Sequence, residues 1–310
     1  MERKSTTLSI VLILLLFAAC QKNEKPTIDV PDVGTIDEVL PPLDEEGETT
    51  DDEASFVLPE IDLSNWKVTL PVGVNGKPTE VEPPEILDYA TSETLLPFMY
   101  NDSTDGSLVF YTYPGVTTPN SSRSRTELRE QLVPGSNNTN WTFAQGGSLF
   151  GELAMAEIST DADGEYHRTI IMQIHGRLTD AQRDLIGEDD NNAPPILKIY
   201  WQNGRVRVKT KILKDPGATG NEILYTDAWT DDDGHYFDET VGFDKFTLEV
   251  KVSEGRMEVI LNNGESVVYD DVNIQKWEVF ENYFKAGNYL QTTDEGSFAK
   301  VKLYRLEVGH

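Results

Sequence analysis

A single cysteine, Cys20, occurs in 310 residues, and the four histidines form no metal-spaced pair. Past position 20 the chain has no thiol. Disulfides, cysteine-ligated metals and thiol nucleophiles are thereby excluded from the folded part. Gly-rich phosphate loops are missing, and neither a metal nor another cofactor is expected. Positive charge is scarce, with 26 Lys and Arg against 54 Asp and Glu and a formal net charge of −28. Nucleic acid is a poor partner for such a chain. A polyanionic ligand would need a locally basic groove set in an acidic body. The amino-terminal apolar run, Leu8 to Phe17, is too short to cross a membrane.

What precedes and follows that run defines the organisation. Arg3 and Lys4 stand before it and Ala18-Ala19-Cys20 after it, the layout of a secretory signal over residues 1–19. Leu16 to Cys20 resembles a bacterial lipobox, in which the Cys becomes the lipidated first residue. A cleaved signal with a chance cysteine is the alternative; lipidation is favoured because Cys20 is the only cysteine. Residues 20–60 carry Asp44-Glu45-Glu46-Gly47-Glu48 and Asp51-Asp52-Glu53 and few aromatics. They read as a disordered acidic tether. Gln21 is not the Asp-type retention signal, so an outer-membrane lipoprotein facing the periplasm or the exterior is expected. The lipid is its only expected membrane attachment.

Residues 61–310 read as one all-β domain, a two-sheet sandwich or jelly roll expected to be monomeric. Trp66–Leu70, Ser107–Thr112, Arg168–His175, Lys245–Val252 and Lys300–Val308 are β-rich or alternating. Arg256–Leu261 and Val267–Tyr269 flank Asn262-Asn263-Gly264 as a hairpin. Helical signal is weak, with one short helix expected within Pro84–Leu96. The cluster Asp231-Asp232-Asp233 offers carboxylates to calcium but reads more simply as a solvated loop.

The basic groove is sought at Asn203-Gly204, which favours a two-residue type I′ turn. That turn sets Gln202 opposite Arg205, Tyr200 opposite Arg207 and Lys198 opposite Lys209, with Lys211 on the same face. Trp201, Ile199 and Leu197 take the other face, as core. An edge protected by cations against aggregation would look similar. Three further stretches use the same alternation. Arg125, Glu127 and Arg129 share one face, with the carboxylate placed to fix both guanidiniums. Gln173 and His175 share another. In Tyr283–Gln291, Tyr283, Lys285, Gly287, Tyr289 and Gln291 form a polar face suited to a groove floor, Gly287 giving clearance.

Together these stretches offer Arg125, Gln173, His175, Lys285 and Tyr289, with no hydrolytic carboxylate pair and no activated serine. That set suits β-elimination from a uronic acid. The proton removed lies α to a carboxylate, whose developing charge Arg and Gln stabilise. A base and an acid complete the reaction. A tyrosine acting as base needs cations beside it, such as Arg125 or Lys285.

Arg125–Glu130 (RTELRE), Gln173–His175 (QIH) and Tyr283–Gln291 (YFKAGNYLQ) resemble the three signature motifs of the family 7 alginate lyases. Ile61–Pro71 is similar to the usual start of that domain. The resemblance covers residues 61–310 and implies a jelly roll whose concave sheet binds alginate. By position it implies that Arg125, Gln173 and His175 surround the substrate carboxylate and that Tyr289 is the acid. Tyr289 would also be the base at mannuronate, and His175 the base at guluronate. Arg129, Tyr283, Lys285, Glu127 and Gln291 would support or bind, with Lys198, Tyr200, Arg205, Arg207 and Lys209 along the groove. Ile174 between Gln173 and His175 implies acceptance of guluronate, and Leu178–Pro195 forms a candidate lid. Two other readings are a lyase for another polyuronate, such as glucuronan, and a non-catalytic lipid-anchored alginate-binding protein.

Overall fold

The computed structural model describes residue 59 and residues 61–310. The expected signal, Cys20 and nearly all of the tether lie outside the described residues. Sixteen strands follow one another among the described residues. They are β1 (Trp66–Val74), β2 (Lys77–Val81), β3 (Met99–Asn101), β4 (Leu108–Thr112), β5 (Arg125–Glu130), β6 (Gly147–Ile158), β7 (Thr169–Arg177) and β8 (Asn192–Gln202). Then come β9 (Arg205–Leu213), β10 (Trp229–Asp231), β11 (His235–Thr240), β12 (Phe246–Ser253), β13 (Arg256–Leu261), β14 (Ser266–Tyr269), β15 (Glu281–Leu290) and β16 (Ala299–Gly309).

Two antiparallel sheets result, as the alternating pattern requires. The front sheet has the order β10-β9-β8-β7-β15-β5-β1-β2, with β11 also on β9; the back sheet runs β14-β13-β12-β6-β16-β4-β3. Their facing sides bury Trp66, Phe110, Leu128, Leu153, Met172, Ile174, Phe284 and Leu303 almost completely. Such a core, built by alternate residues of both sheets, is what drives the sandwich together. The fit is close. A methyl group added at Gly151 of β6 would lie 2.3 Å from the Met172 side chain of β7.

Pairing across the front sheet follows the expected registers. Around Asn203-Gly204, Gln202 faces Arg205, Tyr200 faces Arg207 and Lys198 faces Lys209. Asn203 and Gly204 both have positive φ, 50° and 77°, as a type I′ turn demands. β15 lies between β5 and β7, so Lys285 is paired with Arg129 on one side and Gln173 on the other.

Helix is placed differently than expected. Within Pro84–Leu96 only Glu85–Asp88 winds, as a 3-10 turn that buries Ile86. The helices α1 (Asp180–Ile186) and α2 (Val272–Trp277) arise elsewhere. α1 starts on a capping box of Thr179 and Gln182 and ends at Gly187, φ 75°. The candidate lid, residues 178–195, is therefore α1, a short turn and the first residues of β8.

Candidate active site

The front sheet's outer face is a cleft of about 700 Å³ lined by side chains of β1, β5, β7, β8, β9 and β15. Two segments wall it, one including Thr118-Pro119-Asn120 and the other Asp190–Pro195. The Asn120 amide donates to the Asp190 carboxylate at 3.2 Å and joins them.

Beneath the floor lies Glu127, with no exposed surface. Its carboxylate accepts from Arg125 at 3.0 Å and from the Gln173 amide at 2.5 Å, and it pairs with Lys285. Burial opposes ionisation of Glu127, but Lys285 and Arg125 outweigh it and hold the carboxyl below its ordinary range. The same burial, with Arg125 alongside, lowers the Lys285 ammonium to about 8. Glu127 does not reach the cleft, so it is the counter-ion of the site and not a substrate contact. It also does not fix Arg129. That guanidinium bonds the carbonyls of Glu130 and Asn137 and the Asn140 side chain, and it covers the Tyr283 ring.

His175 and Tyr289 face the cleft from neighbouring strands. The His175 ring stacks on Tyr283 with centroids 5.2 Å apart, and its Nδ1 lies 2.9 Å from the Gly176 carbonyl. A carbonyl oxygen only accepts, so Nδ1 carries the hydrogen and Nε2 is the free lone pair. Burial and the Lys285 charge lower the imidazole to about 3, which keeps it neutral. Arg125 lies over the Tyr289 ring at 3.7 Å. The Nε of Arg125 is buried and has no hydrogen-bond partner. Tyr289 is thus beside a cation, as expected, and that cation is Arg125; Lys285 is committed to Glu127.

Gly287 has a role other than clearance between Lys285 and Tyr289. It lies where the β15–β7 register slips and has φ 130°. A methyl group there would meet the Thr126 carbonyl of β5 at 2.8 Å, so glycine is required against the adjacent strand. The next residue, Asn288, is fully buried and spends its side chain on Phe110, Ala299 and Thr169.

The cationic hairpin divides. Lys198, Tyr200 and Lys211 line the cleft, as do Arg129, Tyr283, Lys285 and Gln291. Arg205, Arg207 and Lys209 do not. They bond the main-chain carbonyls of Phe237, Asp233 and Asp232, because the segment leading into β11 folds over them. Asp231-Asp232-Asp233 is correspondingly more than a solvated loop. Asp231 pairs with Lys198 and Lys211, and Asp232 accepts from the Thr210 amide. Sequence reasoning also missed Ser121, whose hydroxyl lies 2.6 Å from that of Tyr289.

Comparison with known proteins gives the same picture. The family model described as alginate lyase matches residues 61–310. Alginate lyase A1-II′, a member of polysaccharide lyase family 7 solved at 1.0 Å, is 30% identical with a TM-score of 0.63; the match covers 81% of this chain and 96% of that one. A variant of it with a Tyr changed to Phe, in complex with product (GGG), is 30% identical with a TM-score of 0.64, over 82% of this chain and 100% of that one. Alginate lyase PA1167 from Pseudomonas aeruginosa shares the fold at 23% identity and a TM-score of 0.59, over 81% of this chain and 100% of that one. No curated protein sequence matches. A matched span of this length, on a sandwich whose front sheet carries all three motifs, makes the chain a polysaccharide lyase that belongs to the family 7 alginate lyases.

Proposed function

We propose that the enzyme cleaves alginate by β-elimination and accepts guluronate. One observation carries this reading. A neutral imidazole nitrogen of His175 and the phenol of Tyr289 open on a cleft where Arg125 and Lys285 outnumber the one buried carboxylate, Glu127. An anionic sugar carboxylate supplies the missing negative charge, and the Arg125 guanidinium and the Gln173 amide, which line the cleft, are donors for it.

In the reaction the C5–H bond breaks and its proton passes to the base. The electron pair forms the C4=C5 double bond as the C4–O4 bond breaks. O4 leaves with a proton from Tyr289. Arg125, Gln173 and Lys285 stabilise the charge that builds on the carboxylate while the C5 proton is in flight. At guluronate, where proton and leaving group are opposed, His175 Nε2 is the base. At mannuronate, where they share a side, Tyr289 serves as both. Complexes of A1-II′ variants with a GGMG substrate and a GGG product support guluronate as a substrate unit.

The test is the near-ultraviolet absorbance of the C4=C5 bond during incubation with polyguluronate, polymannuronate and glucuronan. A rise with polyguluronate is expected, and no rise with either alginate block overturns the proposal. Lipidation of Cys20 and an outer-membrane location belong to the same proposal and rest on sequence alone. Labelling with a fatty acid, abolished in Cys20→Ser, tests the first, and separation of inner from outer membranes tests the second.

A further inference from the structure

Three side chains from adjacent strands stack in one row on the floor of the cleft: Arg129 of β5, Tyr283 of β15 and His175 of β7. The Arg129 guanidinium lies 4.1 Å from the Tyr283 ring centroid. The His175 ring lies 5.2 Å from that centroid, with its plane inclined by only 12°. β15 runs between β5 and β7, so the guanidinium and the imidazole take opposite faces of the phenol.

The outer member of the row is anchored. Arg129 donates to the Glu130 carbonyl at 2.7 Å, the Asn137 carbonyl at 3.1 Å and Asn140 Oδ1 at 3.0 Å. With those donors committed, the guanidinium is a fixed plate behind Tyr283, held to the ring face by cation–π attraction.

Tyr283 in turn controls what Gly176 does not. The Nδ1–H bond to the Gly176 carbonyl fixes one corner of the imidazole. A single hydrogen bond lets the ring tilt about that corner, which would swing Nε2 away from a substrate proton. Packing flat against a wedged phenol removes that freedom. Burial raises the Tyr283 phenol above its ordinary range. It therefore stays neutral, and no phenolate forms beside His175 to draw a proton onto it.

The consequence falls on one branch of the reaction. His175 is the base at guluronate, whereas at mannuronate Tyr289 takes both roles and His175 removes no proton. We propose that Tyr283, wedged between Arg129 and His175, is a positioning residue that sets block preference. It aligns the base used at guluronate and leaves the mannuronate branch alone. This rests on the lyase reading above, and it requires no contact between Tyr283 and the sugar.

The experiment compares kcat and KM of wild type, Tyr283→Leu and Tyr283→Phe on polyguluronate and polymannuronate. Tyr283→Leu removes the flat face. Its kcat on polyguluronate should fall about tenfold with little change in KM. The ratio of guluronate to mannuronate turnover should fall by the same factor. Tyr283→Phe keeps the ring and should restore most of both. Equal losses on the two blocks would make Tyr283 a general support of the sheet and overturn the proposal. A Leu enzyme with wild-type guluronate turnover, or a Phe enzyme as impaired as the Leu one, overturns it too. If the wild type leaves polymannuronate uncut, polyguluronate alone decides: a loss in kcat that Phe restores supports the proposal, and a loss confined to KM overturns it. Arg129→Met takes away the backing of the phenol and should shift preference in the same direction; it serves if Tyr283→Leu does not fold. Absence of product from the wild type on both blocks would overturn the lyase reaction and this proposal with it. A wild type that cuts guluronate, beside a Leu enzyme that keeps its preference, overturns the positioning alone.

Discussion

The Ser121 hydroxyl lies 2.6 Å from the Tyr289 hydroxyl, and its own hydrogen is directed at the Arg123 carbonyl 2.9 Å away. Serine is then the acceptor and Tyr289 the donor. The phenolic proton is held in one direction before substrate arrives.

Removing that acceptor frees the rotor without removing the acid. Ser121→Ala should lower kcat about tenfold with little change in KM, and Ser121→Thr should restore most of it. Tyr289→Phe should lower kcat by about a hundredfold or more. Steady-state kinetics on polyguluronate decides. A Ser121→Ala enzyme with wild-type kcat would show that the contact positions nothing.

The Lys285 value of about 8 gives the reaction an alkaline limit. Below it the ammonium is charged and balances Glu127. Above it the charge is lost, and the site no longer draws a carboxylate as strongly. kcat/KM should fall as pH rises through about 8, and Lys285→Arg should carry the limb upward, since guanidinium stays charged. Coincident alkaline limbs in the two enzymes would assign the limb to another group.

His175 should behave unlike an ordinary histidine. With its value lowered to about 3 it stays neutral, with the hydrogen on Nδ1, across the range of about pH 5–8 where free imidazole titrates. Nitrogen NMR of labelled enzyme reads the tautomer directly. A titration of His175 within that window would contradict the burial argument.

The end of the chain couples to the core through Glu130. This carboxylate, 1% exposed, accepts from the Trp141 indole, the Phe284 amide and His310 Nε2. Burial works against the charged His310 imidazole, but Glu130 outweighs it and raises the value. A raised histidine stabilises fully below its unfolded value, about 6.5, and the contribution is lost as pH rises through the folded value. Breaking a buried pair costs about 3–5 kcal/mol. His310 is 25% exposed, so about 1–3 kcal/mol is expected for His310→Ala at acidic pH, less at alkaline pH. Melting curves across pH test it, and a pH-independent loss would remove the ion pair from the account.

Much of this was readable from alternation and turn chemistry. The Asn203-Gly204 register, the shared faces of Arg125 with Arg129 and of Gln173 with His175, and the polar floor of β15 all follow from a period of two. What alternation does not fix is which neighbour a charge chooses. Glu127 takes Lys285, from a strand more than 150 residues away, over Arg129 two residues along. Asp231 likewise claims Lys198 and Lys211 through the β9–β10 pairing. Ser121 lies in a loop with no periodicity to expose it. α1 was legible, since Thr179 and Gln182 spell a capping box, but a run with no buried residue offers no amphipathic stripe to notice.

The Gly176 carbonyl sets the proton on His175, and its alpha carbon is enclosed by Trp277, Pro194 and Ala193, the nearest atom 2.6 Å from where a methyl group would lie. The group that decides the tautomer is therefore main chain at a residue with no room to change. Drift in the side chains around the cleft can reshape what the enzyme accepts and how tightly. It has no ready way to reverse the orientation of the base, so in this enzyme substrate preference can be altered around a fixed proton acceptor.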